Sequence, residues 1–83
     1  MIDVTVMGTV VGTAESCEYL DNSDGSWYVY YENVKTNDLL DNSTYHHAYV
    51  YDDSTQIHCF YDEFEEDIKI FGVNPVSFRE IEV

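Results

Sequence analysis

The sequence predicts a single α+β domain over residues 1–83, an antiparallel β-sheet of about five strands with one short helix packed on it. Three observations predict this fold: segments in which apolar and polar residues alternate, clusters of turn-forming residues between them, and one segment with helical periodicity near the C-terminus. The expected order is β-ββ-ββ-α-β, because short connections favour antiparallel neighbours. A small closed barrel of the OB or SH3-like kind is the alternative, since a long first strand followed by hairpins can curl.

The first strand is predicted in "DVTVMGTVVG", where Val4, Val6 and Val10 alternate with threonines and Gly8 indicates a bulge or a close approach. Two hairpins follow. The first joins "ESCEYL" to "WYVYYENV" through "DNSDGS", whose Asp-Gly pair is the clearest turn signal in the sequence. The second joins "YHHAYVY" to "TQIHCFY" through "DDS", and the polar stretch "KTNDLLDNST" between the hairpins predicts a loop.

Residues 62–71 change to a period near 3.6 and predict the helix. Asp62 suits the N-cap and Glu65, three residues on, completes a capping-box pattern, while Gly72 suits the C' position. The apolar stripe of this helix comprises Phe64, Ile68 and Phe71. The last run, "VSFREIEV", predicts a closing strand whose register the sequence leaves open.

The charge of the chain narrows the class of partner. Seventeen acidic residues stand against three basic ones, so the formal net charge is -14. Nucleic acid, anionic membrane and acidic substrates would all meet a repulsive field, and a basic protein is the partner that fits. The first residues carry no signal-peptide pattern, which predicts a cytoplasmic protein, in the host cytoplasm if a phage encodes it.

Cysteine, histidine and motif content predict neither catalysis nor a cofactor. Cys17 and Cys59 are expected to be reduced core residues, although a disulfide between them stays open at this level. His46, His47 and His58 form no ready chelating pair, because adjacent residues on a strand point to opposite faces, so no metal site is expected. No phosphate loop, nucleophile elbow or zinc-protease motif is present, and we expect a protein that is not an enzyme.

The predicted working surface is an acidic face with tyrosine anchors. The predicted helix carries more like charges than its dipole can stabilise. Two tyrosines on one side of "WYVYYENV" are expected to stay partly exposed and to act as contact anchors. Trp27, Val29 and Tyr31 are predicted on one face of that strand, and Tyr28, Tyr30 and Val34 on the other. The predicted protein-interaction residues are Asp62, Glu63, Glu65, Glu66, Asp67, Asp52, Asp53, Asp21, Asp24, Tyr28 and Tyr30.

Small size, strong acidity and the lack of a catalytic motif resemble the phage-encoded anti-defence proteins, including anti-CRISPR and anti-restriction DNA mimics. The resemblance is one of general character and implies an inhibitor that occupies the nucleic-acid-binding surface of a basic effector complex or nuclease. Literal imitation of DNA requires the acids to gather on one side of the molecule. The alternatives are an immunity-type or regulatory module for a basic partner and a small structural or assembly protein.

Overall fold

The computed structural model of the chain is an all-β fold and describes residues 1–63, 68–74 and 77–80. Seven strands form one antiparallel sheet, in which each strand pairs with the next along the chain. The strands are β1 (Ile2–Val6), β2 (Thr9–Asp21), β3 (Trp27–Thr36), β4 (Thr44–Tyr51), β5 (Ile57–Tyr61), β6 (Ile68–Asn74) and β7 (Ser77–Glu80). The predicted α+β class is therefore wrong, because the described part of the chain is strand, turn and loop with no helix.

The predicted helix over residues 62–71 is replaced by β6 in its second half. Strand β6 pairs antiparallel with β5 from Ile68 to Gly72, and Phe71 is 2% exposed in the core whereas Ile68 is 45% exposed. Pairing with β5 adds sheet hydrogen bonds and burial that a local capping pattern cannot match. Residues 64–67 of the predicted helix lie outside the described residues.

The predicted first strand is divided by a tight turn. Met7 and Gly8 have φ of 49° and 83°, and Val6 pairs with Thr9 across them. Two successive residues with positive φ are the geometry of a two-residue hairpin turn, which matches the twist of the flanking strands. The prediction of a bulge at Gly8 is therefore wrong, and the stretch forms two antiparallel strands.

The irregularity in this hairpin lies at Val11 instead. The β1–β2 register passes from Val4 opposite Gly12 to Thr5 opposite Val10, so Val11 is the extra residue on β2. Val4 and Val11 are fully buried, whereas Val10 is 42% exposed, contrary to its predicted place beside Val4. A bulge shifts the alternation by one residue, which explains the exchange of Val10 and Val11.

Both predicted hairpins are present. Strands β2 and β3 join through residues 22–26, and β4 and β5 join through residues 52–56. The loop over residues 37–43 connects the hairpins, and Asn37 fastens it to β2. The Asn37 amide N–H donates to the Val11 carbonyl at 2.8 Å and its side-chain Nδ2 donates to the Val10 carbonyl at 3.0 Å.

The inward alternation breaks in the middle of β3 and β4. Tyr31 and Val34 are both buried although they lie three residues apart, and Asn33 between them has φ of 53°. Tyr45 and Ala48 repeat this spacing on β4, directly opposite Val34 and Tyr31. The predicted face of Val34 is therefore wrong, because a left-handed residue reverses the side on which the following side chains lie.

The sheet curls around one core. Thirteen residues of β2 would span roughly 40 Å if straight, yet the largest dimension of the molecule is 32 Å and the smallest is 25 Å. Strands β1 and β3 are in contact although they are not neighbours in the sheet, so the sheet folds over its own inner face. The buried hydrophobic residues are Val4, Val6, Val11, Ala14, Tyr31, Val34, Tyr45, Ala48, Val50, Phe60 and Phe71.

The curl stops short of the closed barrel that was the alternative expectation. Within the described strands, β1 pairs only with β2 and β7 pairs only with β6. The architecture is therefore a strongly coiled antiparallel meander.

Candidate protein-interaction site

One end of the meander carries four of the predicted acids, and we call it the acidic end: Asp21, Asp24, Asp52 and Asp53. Alternate turns of an antiparallel meander lie at the same end of the sheet, so the 22–26 and 52–56 turns are neighbours. The pKa of Tyr19 agrees with this placement. It is raised first by desolvation and then by the charges of Asp21 and Asp52, one from each hairpin.

The first turn holds Asp24 rigidly as an anion. Its carboxylate accepts the Ser26 hydroxyl at 2.6 Å and the Ser26 amide N–H at 3.0 Å. These hydrogen bonds, the hydroxyl first, lower the pKa of Asp24. Asn22 closes the turn from the other side, since its amide N–H donates to the Ser26 carbonyl and its Nδ2 donates to the Ser26 hydroxyl.

The second turn does the same for Asp52. Its carboxylate accepts the hydroxyl and the amide N–H of Ser54, at 2.5 and 3.1 Å, and the hydroxyl of Thr55 at 3.2 Å. The Ser54 hydroxyl is the largest cause of the lowered pKa of Asp52, and Thr55 adds to it. Both hairpin turns therefore present a carboxylate that stays ionised and is fixed in position before any partner arrives.

An aromatic pair lies beside these carboxylates. The rings of Tyr19 and Trp27 stack with centroids 5.6 Å apart and planes 24° apart. Tyr19 is 58% exposed, and Trp27 is half-buried next to Asp21, its cross-strand partner. Tyrosine and tryptophan are the commonest anchors of protein interfaces, so charge and contact area converge at this end.

A second aromatic surface covers the side of the sheet opposite the core, and we call it the tyrosine face. It consists of Tyr28, Tyr30, Tyr49, Tyr51 and Tyr61, all half-buried. The strand register brings these residues together, since Tyr28 and Tyr30 on β3 lie opposite Tyr51 and Tyr49 on β4.

The rings of the tyrosine face touch one another at steep angles. Tyr49 is central, with ring centroids 5.0 Å from Tyr30, 6.2 Å from Tyr28 and 5.5 Å from Tyr61, the last at an interplanar angle of 88°. Tyr28 also lies 6.2 Å from Tyr51. Tilted and edge-to-face pairs are the favoured arrangements of aromatic rings, and they fix this surface as a packed layer.

Two glutamates border the tyrosine face on one side. Glu18 on β2 lies directly opposite Tyr30, and Glu32 lies two residues beyond Tyr30 on the same side of β3. Both glutamates are exposed. Glu32 also faces His47, whose Nδ1 is 2.5 Å from the Tyr30 hydroxyl. Carboxylates on β2 and β3 thus lie beside the tyrosine rings.

The remaining predicted acids lie elsewhere or are not described. Asp62 and Glu63 follow β5 at the end of the sheet opposite the acidic end, and both are exposed. Asp62 lies 3.5 Å from Nδ1 of His46. Glu65, Glu66 and Asp67 fall outside the described residues. The predicted interaction acids that the structure describes therefore divide between the two ends of the sheet and do not form one common face.

The sequence signalled more of this surface than the prediction used. Tyr28 and Tyr30 were predicted, and the structure places them together on the tyrosine face. Tyr49 and Tyr51 were missed as site residues, although they repeat the same two-residue spacing one hairpin further on. Tyr19 and Trp27 were missed because their stacking depends on the β2–β3 register.

A cavity of about 480 Å³ lies apart from both surfaces. It is formed by the start of β2, the end of β3 and the 37–43 loop, and its lining includes Val10, Lys35, Asp38 and Leu39. None of the predicted interaction residues lines this cavity.

Over residues 1–63, 68–74 and 77–80, no group of three His, Cys, Asp or Glu side chains is placed to hold a metal ion. The same residues contain no helix of the length and apolarity needed to cross a membrane. Cys17 is exposed, Cys59 is half-buried, and both thiols are free. Comparisons with protein-family models, with curated proteins and with solved structures find no match to this chain.

Proposed function

We propose that this protein is a binding module that docks its acidic end on a basic protein surface of the kind that holds nucleic acid, and so inhibits the partner. The observation that carries the proposal is the placement of Asp21 and Asp52, from two separate hairpins, at the same end of the sheet as the exposed ring of Tyr19. Carboxylates supply the attraction to lysine and arginine, and the stacked Tyr19 and Trp27 supply the anchoring contact area.

The electrostatics support a protein partner. A net charge of -14 repels phosphate and steers a basic surface, so association should be fast and strongly weakened by salt. The turn hydrogen bonds to Asp24 and Asp52 lower the ordering cost, because these two carboxylates are already held in the free protein.

The charge density supports a local imitation of nucleic acid at most. The accessible surface of 5335 Å² shared among 14 net charges gives about 380 Å² for each. Duplex DNA exposes roughly one phosphate per 100 Å² of its cylindrical surface. Only a cluster such as the acidic end, with four carboxylates at the ends of two adjacent hairpins, approaches the density that a phosphate-binding surface recognises.

The test is affinity capture from lysate of the cells in which the protein acts, with each captured protein identified. The acidic-end variant Asp21→Lys/Asp53→Lys should lose a basic nucleic-acid-binding partner that the wild type captures. The matched control is Asp62→Lys/Glu63→Lys, which changes the net charge equally at the opposite end and should keep the partner. Neither pair alters the hydrogen bonds that hold Asp24 or Asp52.

Competition with duplex DNA completes this test. Displacement of the captured partner by DNA supports occupation of its nucleic-acid-binding surface. A partner that resists DNA supports the immunity-type module instead, in which the acids fit one partner without covering its DNA site. Equal capture by the acidic-end variant and by its control would contradict the placement of the site at this end.

A further inference from the structure

The tyrosine face has a chemistry distinct from that of the acidic end. Its five rings are packed in one layer, with Tyr30 and Tyr49 only 5.0 Å apart and inclined at 43°. The face of a tyrosine ring carries partial negative charge from its π electrons and attracts cations. A layer of such rings therefore offers cation contacts over an area larger than one side chain.

Carboxylates stand beside these rings on the β2 and β3 side. Glu18 and Glu32 lie on the same side of the sheet as Tyr30, one opposite it and one two residues along. Neither Glu18 nor Glu32 forms an ion pair with a cation among the described residues. The nearest lysine along β3 is Lys35, beyond the break in alternation at Asn33.

Tyrosine rings beside carboxylates favour arginine over lysine. An arginine guanidinium is planar, stacks on aromatic rings and donates two parallel hydrogen bonds to a carboxylate, whereas a lysine ammonium is a compact and strongly hydrated point charge. Here the tyrosine rings can stack on the guanidinium, and the adjacent carboxylates can accept its hydrogen bonds. A second copy of this chain is a poor occupant, because it brings the same net charge of -14.

We propose that the tyrosine face receives arginine side chains of the basic partner, stacked on Tyr30 and Tyr49 and hydrogen-bonded to Glu18 and Glu32. The inference rests on the proposed function and deepens it, since it names the chemical group by which the partner is distinguished from other cationic proteins. The acidic end attracts lysine and arginine alike, and the tyrosine face adds a preference for arginine.

The experiment compares two labelled probes, a nine-residue arginine homopeptide and a nine-residue lysine homopeptide, by fluorescence anisotropy at about 0.15 M salt. The wild type should bind the arginine peptide about 5- to 10-fold more tightly. In Tyr30→Leu/Tyr49→Leu this preference should fall below about 2-fold. The control Tyr30→Phe/Tyr49→Phe keeps the rings and should keep the preference.

A second pair of variants leaves the ring layer intact. Glu18→Gln/Glu32→Gln should weaken the arginine peptide more than the lysine peptide, because both glutamates are exposed and only arginine gains the paired hydrogen bonds. The acidic-end variant Asp21→Lys/Asp53→Lys should weaken both peptides equally and leave their ratio unchanged.

Failure of the inference differs from failure of the proposed function. Binding of both peptides with equal affinity, or an arginine preference that survives both the leucine and the glutamine variants, overturns the arginine assignment and leaves the acidic module standing. Absence of binding to either peptide overturns both.

Discussion

Substitution of Gly12 by alanine tests the closest approach of two strands in the sheet. A Cβ atom at Gly12 would lie 2.3 Å from the Lys35 carbonyl oxygen and 2.9 Å from the Thr36 Cα. Both contacts are with main-chain atoms, so no side chain can rotate away. A Cβ atom and a carbonyl oxygen need at least about 3.2 Å between them, and β2 and β3 must therefore separate by the order of 1 Å at this point.

Separation of β2 and β3 at this point would also disturb the buried hydrogen bonds of Thr36. Thr36 is 2% exposed, and its hydroxyl donates to the Asp41 carboxylate at 2.7 Å and accepts the Ser43 amide N–H at 2.9 Å. Overpacking costs roughly 1–3 kcal/mol, and a weakened buried hydrogen bond adds about 1 kcal/mol. We therefore expect Gly12→Ala to lower the free energy of unfolding by about 2–4 kcal/mol, a large share of what a domain of this size possesses.

Urea unfolding followed by Trp27 fluorescence measures this loss. Gly25→Ala is the matched control, because Gly25 has φ of 92° but no atom within 4 Å of an added Cβ. Its cost is the left-handed conformation alone, about 1 kcal/mol. A Gly12→Ala protein no less stable than Gly25→Ala would show that the strands are not held at the spacing described.

Three further predictions concern other side chains of the described structure. His58 is 1% exposed, its Nδ1 accepts the Tyr51 amide N–H at 3.1 Å, and burial lowers its pKa from the ordinary 6.5. Because the unfolded chain binds the proton more readily than the folded one, the free energy of unfolding should fall as pH drops from 6.5 toward 5. In the His58→Gln variant, the urea midpoint should change less over that pH range than in the wild type. Tyr45→Phe removes a donor to the half-buried Asp41 carboxylate and should cost about 1–3 kcal/mol in the same unfolding assay. Tyr19→Ser should weaken binding of the captured partner at least about 5-fold with an unchanged urea midpoint, because this ring is mostly exposed; unchanged affinity would remove it from the interface.

Turn chemistry made both hairpins predictable from the sequence. Asp24 and Asp52 begin clusters whose side chains bond to the main chain two residues on, and that local signal is independent of the rest of the fold. The faces of β3 were also predictable as far as Tyr31. Beyond it the alternation depends on the left-handed Asn33, and nothing in the local pattern distinguishes that asparagine from one in regular strand.

The helix failed for a related reason. An N-cap, a capping box and a C' glycine are local features, and residues 62–72 display all three in sequence. Pairing with β5 buries Phe71 next to Phe60, with ring centroids 5.3 Å apart, and only the assembled sheet provides that contact. Gly72 lies within β6 as a buried strand residue and does not end a helix. Tertiary burial outweighed local propensity.

Only part of the site was predictable, because its tyrosines and its acids depend on different kinds of information. Tyr28 and Tyr30 follow from alternation within one strand, whereas the acids that share an end follow from connectivity. Two hairpins joined by a return loop put their turns at one end, which groups Asp21 with Asp52 and places Asp62 at the other end. The expectation of an acidic helix hid this grouping, because it directed the predicted site to residues 62–67.

The two surfaces are adjacent, and this adjacency gives each a different part in binding. Tyr51 on the tyrosine face immediately precedes Asp52 of the acidic end, and Tyr28 immediately follows Trp27. One basic segment can therefore contact both. Exposed carboxylates act at long range and govern how fast the partner arrives, whereas packed rings act only in contact and govern how slowly it leaves. Salt should consequently slow association through the acidic end while the arginine preference of the tyrosine face persists in the dissociation rate.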